Sequence, residues 1–243
     1  TFPSLKKGKS SAFESIVLTS ENALLLTGVT GAPYNAIEGF KSYGNPSEGY
    51  AFVLYLSPET IASKKVPKMA DWEKVYENTL TGKTIEEIGV SKEFVLVGSS
   101  HEPTVAKLLK INGSGKILWE KEFPQHGEVT DLAVSKDGIF LSGHKGSWET
   151  GIDGSLSKVS EDGKLIWNKT FGNPSGGENV YADLGRGNSK LIFDECWSVT
   201  TVDKLDAIMA CGTGIEGCAG HTGSIKKNAK VILVKTGEAI SLK

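Results

Sequence analysis

KINGSGKILWEKEF, residues 110–123, aligns without a gap on KVSEDGKLIWNKTF, residues 158–171. Lysine and tryptophan stand nine residues apart in both copies, Lys110 with Trp119 and Lys158 with Trp167. A shorter copy, DWEKVY at 71–76, contributes Trp72, so the three tryptophans are spaced by 47 and 48 residues. Self-similarity at a fixed period of this size marks a repeat architecture, in which each supersecondary unit buries its apolar face on the next.

A second recurrent unit lies upstream of the first. ALLLTG (23–28), FVLVG (94–98), IFLSG (139–143) and AIMACG (207–212) are four short apolar runs, each closed by glycine. Each follows a short alternating segment and a polar turn: FESIVLTSEN, IEEIGVSKE, EVTDLAVSKDG and CWSVTTVDKLD. Runs of four to eight β-branched and apolar residues punctuated by Asp-Gly or Ser-Gly read as antiparallel strands joined by hairpins. Helical periodicity is nearly absent. Every unit then holds four strands: an entry strand a, an apolar strand b ending in glycine, a strand c such as GSLSKVS (154–160), and a strand d carrying tryptophan. In the last unit, c is AKVILVK (229–235) and d is AISLK (239–243), without tryptophan.

Four-stranded units of 40 to 50 residues, apolar on both faces of their central strands, are β-propeller blades. The expected fold is all-β, one propeller domain over residues 1–243, with blades at roughly 13–76, 84–123, 127–171 and 195–243. Surplus sequence at 30–49, 56–68 and 174–191 is expected in loops, with room for a degenerate fifth blade. The turn-to-tryptophan pattern, DGKLIW above all, resembles the WD40-like and PQQ-like propeller repeats. That resemblance implies the fold and hardly bears on function; a rigid disc with variable loops suits binding. The Trp-Asp dipeptide of WD40 blades is missing, as is a set of quinone ligands, so no redox activity is implied.

The composition suits a folded domain. The chain has 243 residues, a formal charge of -2 and 39% hydrophobic residues. Its 29 glycines in 243 residues are about 12%, against roughly 7% on average, which implies many tight turns. No basic excess points to nucleic acid, and no apolar run approaches the ~20 residues that span a bilayer. Residue 1 is Thr, and no charged segment leading into an apolar stretch follows it, so no targeting peptide is expected within these residues. Asn112-Gly-Ser114 and Asn168-Lys-Thr170 have the form of N-glycosylation acceptors. With three cysteines they lean the chain towards a secreted or lumenal setting.

Those cysteines, Cys196, Cys211 and Cys218, are read with the strands. If strands a and b of the fourth unit form a hairpin centred between Asp203 and Lys204, residues whose numbers sum to 407 face each other, and Cys196 opposes Cys211. Closure of the following loop by Cys211 and Cys218 is the competing pairing, and geometry must choose. Zinc held by the cysteines and His221 lacks the paired CxxC spacing of structural sites. Two decoys sit nearby. Gly212-Thr-Gly214-Ile-Glu-Gly217 has GxGxxG spacing without the strand-turn-helix context that binds a dinucleotide. TGKT at 81–84 has Glu77 where a P-loop needs glycine.

The candidate site comes from the b-to-c connections. GSSHEPT (98–104), GHKGSWETGIDG (143–154) and ACGTGIEGCAGHTG (210–223) each pair a histidine with an acid: His101 with Glu102, His144 with Glu149, His221 with Glu216. In a propeller the b-to-c and d-to-a connections emerge on one face, which adds Glu14, Glu87 and Asp131 to the same rim. Imidazoles and carboxylates together hold divalent cations or perform acid-base work. His101, His144 and His221 are therefore the metal candidates, while Trp148 and Tyr34 offer stacking surface. The plainer reading is that exposed loops are polar and these histidines are loop residues. Trp119 and Trp167, recurring at one repeat position, read as packing anchors. The short basic runs SLKKGK (4–9) and SIKKNAK (224–230) read as solvated surface.

The expected function is a non-catalytic recognition or assembly module that binds a protein or glycan partner and needs no cofactor. Two alternatives stand beside it: a metal-assisted hydrolase or lyase at the rim, and a subunit docked in a larger complex through the insertions at 30–49 and 174–191.

Overall fold

In a computed structural model, residues 10–32, 48–63, 70–89, 92–101, 105–147, 151–171, 193–202, 206–215, 230–235 and 238–241 are described. Tyr34, Glu102, Trp148, Glu149, Glu216, Cys218 and His221 lie outside these residues, as does most of the insertions at 30–49 and 174–191.

The described chain is built of strands in four successive meanders. β1(Ser10–Leu18), β2(Leu24–Ala32), β3(Tyr50–Leu56) and β4(Trp72–Tyr76) form one four-stranded sheet in chain order. β5(Gly82–Ile88), β6(Glu93–Ser99), β7(Ala106–Asn112) and β8(Ile117–Phe123) form the next. β9(Glu128–Ser135), β10(Gly138–Ser147), β11(Gly151–Val159) and β12(Leu165–Phe171) are followed by β13(Phe193–Val202), β14(Asp206–Ile215), β15(Lys230–Lys235) and β16(Glu238–Ser241). A parallel bridge between Ile152 and Phe193 links these last two meanders into one eight-stranded sheet. Four-stranded antiparallel meanders in chain order are the blade unit of a propeller. The chain divides into two compact units, residues 1–122 and 123–243.

Each unit has a core between its two meanders. In the first, Leu25, Val53 and Ala51 pack on Ile85, Phe94, Leu96, Leu109 and Ile111. Alternation explains the selection: Leu25, Val53 and Ile85 project from one face of their strands, the face turned to the neighbouring sheet. Trp72 lies against this core, stacked on Tyr55 with ring centroids 5.4 Å apart. In the second unit Phe140 and Leu156 meet Val199, Met209, Cys196 and Cys211, with Trp167 and Phe171 packed alongside. Trp72 and Trp167 thus act as anchors on these cores, and Trp119 on β8 is half-buried as they are.

Three expectations change. The stretch 56–68, read as loop, contains a one-turn helix, α1(Pro58–Ala62), because Ser57 caps it through the Thr60 amide and proline starts it. His144, placed in a loop by sequence, lies within β10, because the β10–β11 ladder continues past Gly143 through Ser147. Glu87 is not on the histidine end of its sheet. It pairs with Phe94 near the β5–β6 turn, whereas His101 follows the opposite end of β6, and its carboxylate instead accepts from the Ser20 amide and hydroxyl at 2.7 and 2.9 Å.

Candidate functional site

The glycine that follows each apolar run has a physical cause that recurs with the repeat, although Gly28, Gly143 and Gly212 lie inside β2, β10 and β14 rather than at their ends as expected. A Cβ on Gly28 would lie 2.0 Å from the Ala12 carbonyl oxygen, on Gly98 1.8 Å from that of Thr81, and on Gly143 1.9 Å from that of Glu128. Strand a therefore runs against strand b too closely for any side chain. Beside each of these contacts strand a carries a β-bulge, an extra residue that bends the strand and re-aims side chains. The bulged residues are Glu14, between Phe13↔Gly28 and Ser15↔Thr27, then Lys83, between Gly82↔Gly98 and Thr84↔Val97, and Thr130, between Val129↔Gly143 and Asp131↔Ser142. In the first unit two of them meet electrostatically: desolvation raises the Glu14 carboxyl above its ordinary range while the Lys83 ammonium pulls against it.

The fourth meander departs from this rule. Glu195 pairs with Gly212 and Cys196 directly with Cys211, so the bulge comes one pair later, at Trp197, before Ser198↔Ala210. The hairpin beyond pairs Val202 with Asp206, a sum of 408 where 407 was expected, and the bulge at Trp197 restores 407 at the cysteines. Cys196 and Cys211 form a disulfide, settling the choice against Cys211 with Cys218. The bond is buried and leans on Gly154, where a Cβ would come within 2.3 Å of the Cys196 sulfur.

Trp197 is held from both sides. The Thr130 hydroxyl donates to the Cys196 carbonyl at 2.8 Å. The Asp131 carboxylate accepts from the Ser198 hydroxyl at 2.9 Å and from the Val199 amide at 3.1 Å. The indole is nevertheless 42% exposed. Its ring centroid is 6.4 Å from that of His144, whose Nε2 lies 3.2 Å from a carboxylate oxygen of Glu128. This places an exposed indole, an imidazole and a carboxylate side by side on strands whose backbones are fixed. The arrangement offers apolar area with a hydrogen-bonding border, which is the chemistry of recognition. Sequence reasoning found His144 and Asp131 but not Glu128 or Trp197. Trp197 was legible only as the one tryptophan outside the recurrent strand-d position that lies in a strand a.

The other sequence candidates fall elsewhere. His101 belongs to the first unit, where its Nε2 contacts the Gly49 carbonyl at 3.0 Å and its ring lies 5.8 Å from Tyr50, so it fastens the entry to β3. Among the described residues no three His, Cys, Asp or Glu side chains gather as a metal set. Asn112 sits at the β7–β8 turn, its Oδ1 accepting from the Ser114 amide, the Ser114 hydroxyl and the Lys116 amide. Asn168 points inward from β12, its Nδ2 donating to the hydroxyls of Ser155 and Ser157 at 3.0 and 2.9 Å.

The fourth histidine, unclaimed by the repeat, is the most enclosed. His126 is fully buried, with Nδ1 2.8 Å from the Ser157 hydroxyl and 3.3 Å from that of Ser155. Because Asn168 already donates to both oxygens, a serine hydroxyl is free to donate to Nδ1, which leaves the ring proton on Nε2, towards the Ser142 carbonyl but without an aligned hydrogen bond. Burial pushes the ring down to about 4, helped by the charges of His144 and Lys145 and opposed by that carbonyl. A neutral, hydrogen-bonded core histidine is a structural element.

Meanders of this kind, with their glycine-and-bulge rule, define a β-propeller-type repeat protein. No family model matches the sequence, and no curated protein matches it. Among solved structures it is similar to the WD40 domain of Neurospora crassa Pan2, with 9% identity and a TM-score of 0.48 over 92% of this chain and 46% of that one. It is also similar to a tail fibre of a Staphylococcus aureus phage, with 12% identity and a TM-score of 0.30 over 90% of this chain and 50% of the other. The chain spans about half the length of these two structures. Among the described residues no helix is long and apolar enough to cross a membrane.

Proposed function

We propose that the protein is a non-catalytic recognition module that binds a protein partner through the second unit, with Trp197 as the central contact. The observation that carries this reading is an indole 42% exposed on a bulge whose flanking residues are fastened by a disulfide and by Thr130 and Asp131. The partly exposed indole leaves a large apolar area, on a fixed backbone, available to a partner. Tryptophans so placed dominate protein interfaces, because their area is large and little rotamer entropy remains to be lost on binding. Glu128 and His144 supply a polar border for donors of the partner.

The Cys196–Cys211 disulfide supports an oxidising setting, secreted or lumenal, in which that partner is met. The test replaces Trp197 by a photo-crosslinking residue, with exposed Lys121 as the control position, in extract from the native source. One discrete protein adduct from position 197 alone is expected. Trp197→Ala should weaken binding of that protein at least tenfold while leaving the melting temperature within 2 °C or so, since an exposed side chain carries little stability. Equal crosslinking from both positions, or unchanged affinity in the alanine variant, would reject the reading.

A further inference from the structure

The two N-glycosylation triplets are equivalent in sequence and opposite in structure. We infer that Asn112 is the chain's N-glycan acceptor and that Asn168, half-buried with its amide already engaged, does not carry one, an inference that rests on the secreted or lumenal reading. At Asn112, three donors converge on Oδ1: the Ser114 amide at 3.0 Å, the Ser114 hydroxyl at 2.8 Å and the Lys116 amide at 3.0 Å. The amide nitrogen, Nδ2, therefore faces away from the turn, and among the described residues it donates to nothing. Polarisation of Oδ1 by these donors also draws electron density from the amide, loosening the N–H bond that must be lost. Ser114 itself is exposed.

At Asn168 the same nitrogen is consumed. Both of its hydrogens go to the hydroxyls of Ser155 and Ser157, which are fully buried and in turn reach His126. A sugar on Nδ2 replaces one of those hydrogens and breaks one of the two bonds to the buried serine hydroxyls. The β11–β12 register, Ser157 opposite Asn168, fixes this inward direction.

In the transfer, Nδ2 of Asn112 forms a bond to the anomeric carbon of a lipid-pyrophosphate-linked oligosaccharide. The anomeric C–O bond breaks, the pyrophosphate leaves with the electron pair, and the amide gives up one proton. The glycan then stands at the hairpin leading into β8, the open edge of its sheet, where Ile117 and Leu118 are 37% and 45% exposed. A hydrated oligosaccharide there blocks edge-to-edge pairing, a liability of exposed apolar edge strands.

The experiment routes the full chain through the secretory pathway of a glycosylating host and reads intact mass with and without enzymatic deglycosylation. One glycan is expected on the wild type and on Thr170→Val, which deletes the second triplet while keeping the Asn168 amide. None is expected on Ser114→Ala or on Asn112→Asp, which keeps an oxygen for the turn and removes the nitrogen. A glycan retained in these two variants, lost in Thr170→Val, present twice in the wild type or absent from it overturns the assignment. Failure of the compartment reading shows separately, as unpaired Cys196 and Cys211 thiols in protein taken from its native source.

Discussion

Substituting alanine at Gly98 tests the rule shared by the first three meanders. The position has an ordinary backbone conformation, so alanine costs nothing intrinsically, and reduced freedom of the unfolded chain would by itself stabilise by about 0.4–1 kcal/mol. The obstacle is the Thr81 carbonyl oxygen, 1.8 Å from the new Cβ, whereas ordinary van der Waals contact begins at about 3.4 Å. Strand β5 would have to retreat by about 1.6 Å, enough to stretch a hydrogen bond of roughly 2.9 Å beyond any useful length. Two ladder bonds beside the bulge are affected, each worth about 1 kcal/mol net with a further penalty for buried groups left unpaired. The net loss expected is about 3 kcal/mol, a large fraction of the ~5–15 kcal/mol that holds a domain folded. Urea unfolding followed by tryptophan fluorescence measures it. Gly89→Ala is the companion: its Cβ meets nothing within 4 Å, but its φ of 71° is left-handed, so only a conformational cost of about 1 kcal/mol applies. If Gly98→Ala matches the wild type, or loses less than Gly89→Ala, the close approach of strand a is wrong, and with it the bulge geometry.

Two further outcomes follow from the second unit. Replacing Cys196 and Cys211 together by alanine removes a cross-link between residues 15 apart and should lower unfolding free energy by about 3 kcal/mol, with the same loss in wild type under reductant; an unchanged denaturation midpoint contradicts the bond. His126, held at about 4 in the fold against about 6.5 unfolded, is neutral in both states above pH 6.5 and contributes no slope there. As pH falls from 6.5 towards 4 the unfolded chain takes up the proton first, so stability should drop by about 3 kcal/mol across that window, less in His126→Gln. Parallel stability profiles for the two proteins would place the ring in water instead.

The legible part of the structure is the part dictated by repetition. A glycine after an apolar run, a Gly-Lys turn and a tryptophan nine residues from a lysine are one-dimensional marks of strands and anchors, and the strands lie where they indicate, except that β2, β10 and β14 run on past the glycines expected to end them. Half-residue details were not legible. The pairing sum of 407 for the cysteines is correct at Cys196 and wrong at Val202, because no local propensity announces a bulge and each bulge shifts the pairs that follow it up to the next irregularity. Glu87 was misplaced for a related reason: distance along a strand decides which end of a sheet a side chain occupies, and Glu87 lies five residues past the start of β5. His126 went unnoticed because nothing in HGE, read alone, reveals two buried serines of β11 converging on the ring and an asparagine of β12 donating to both of them.

The displaced bulge explains why the fourth meander has both a disulfide and an exposed tryptophan. Had it followed the other three, Glu195 opposite Gly212 would be followed by a bulged Cys196, and Trp197 would pair with Cys211. The two sulfurs would then sit on different ladder positions, and the indole would take its turn in the pleat as an ordinary strand residue. Moving the bulge by one pair brings Cys196 opposite Cys211 and puts Trp197 in the position that Glu14, Lys83 and Thr130 occupy elsewhere. A bulge migrates easily when a strand is otherwise uniform, since the number of paired residues is unchanged. The covalent bond removes that freedom, because return of the bulge to Cys196 would pull the sulfurs apart. The disulfide therefore fixes the register of β13 on β14, and through it the direction in which Trp197 faces.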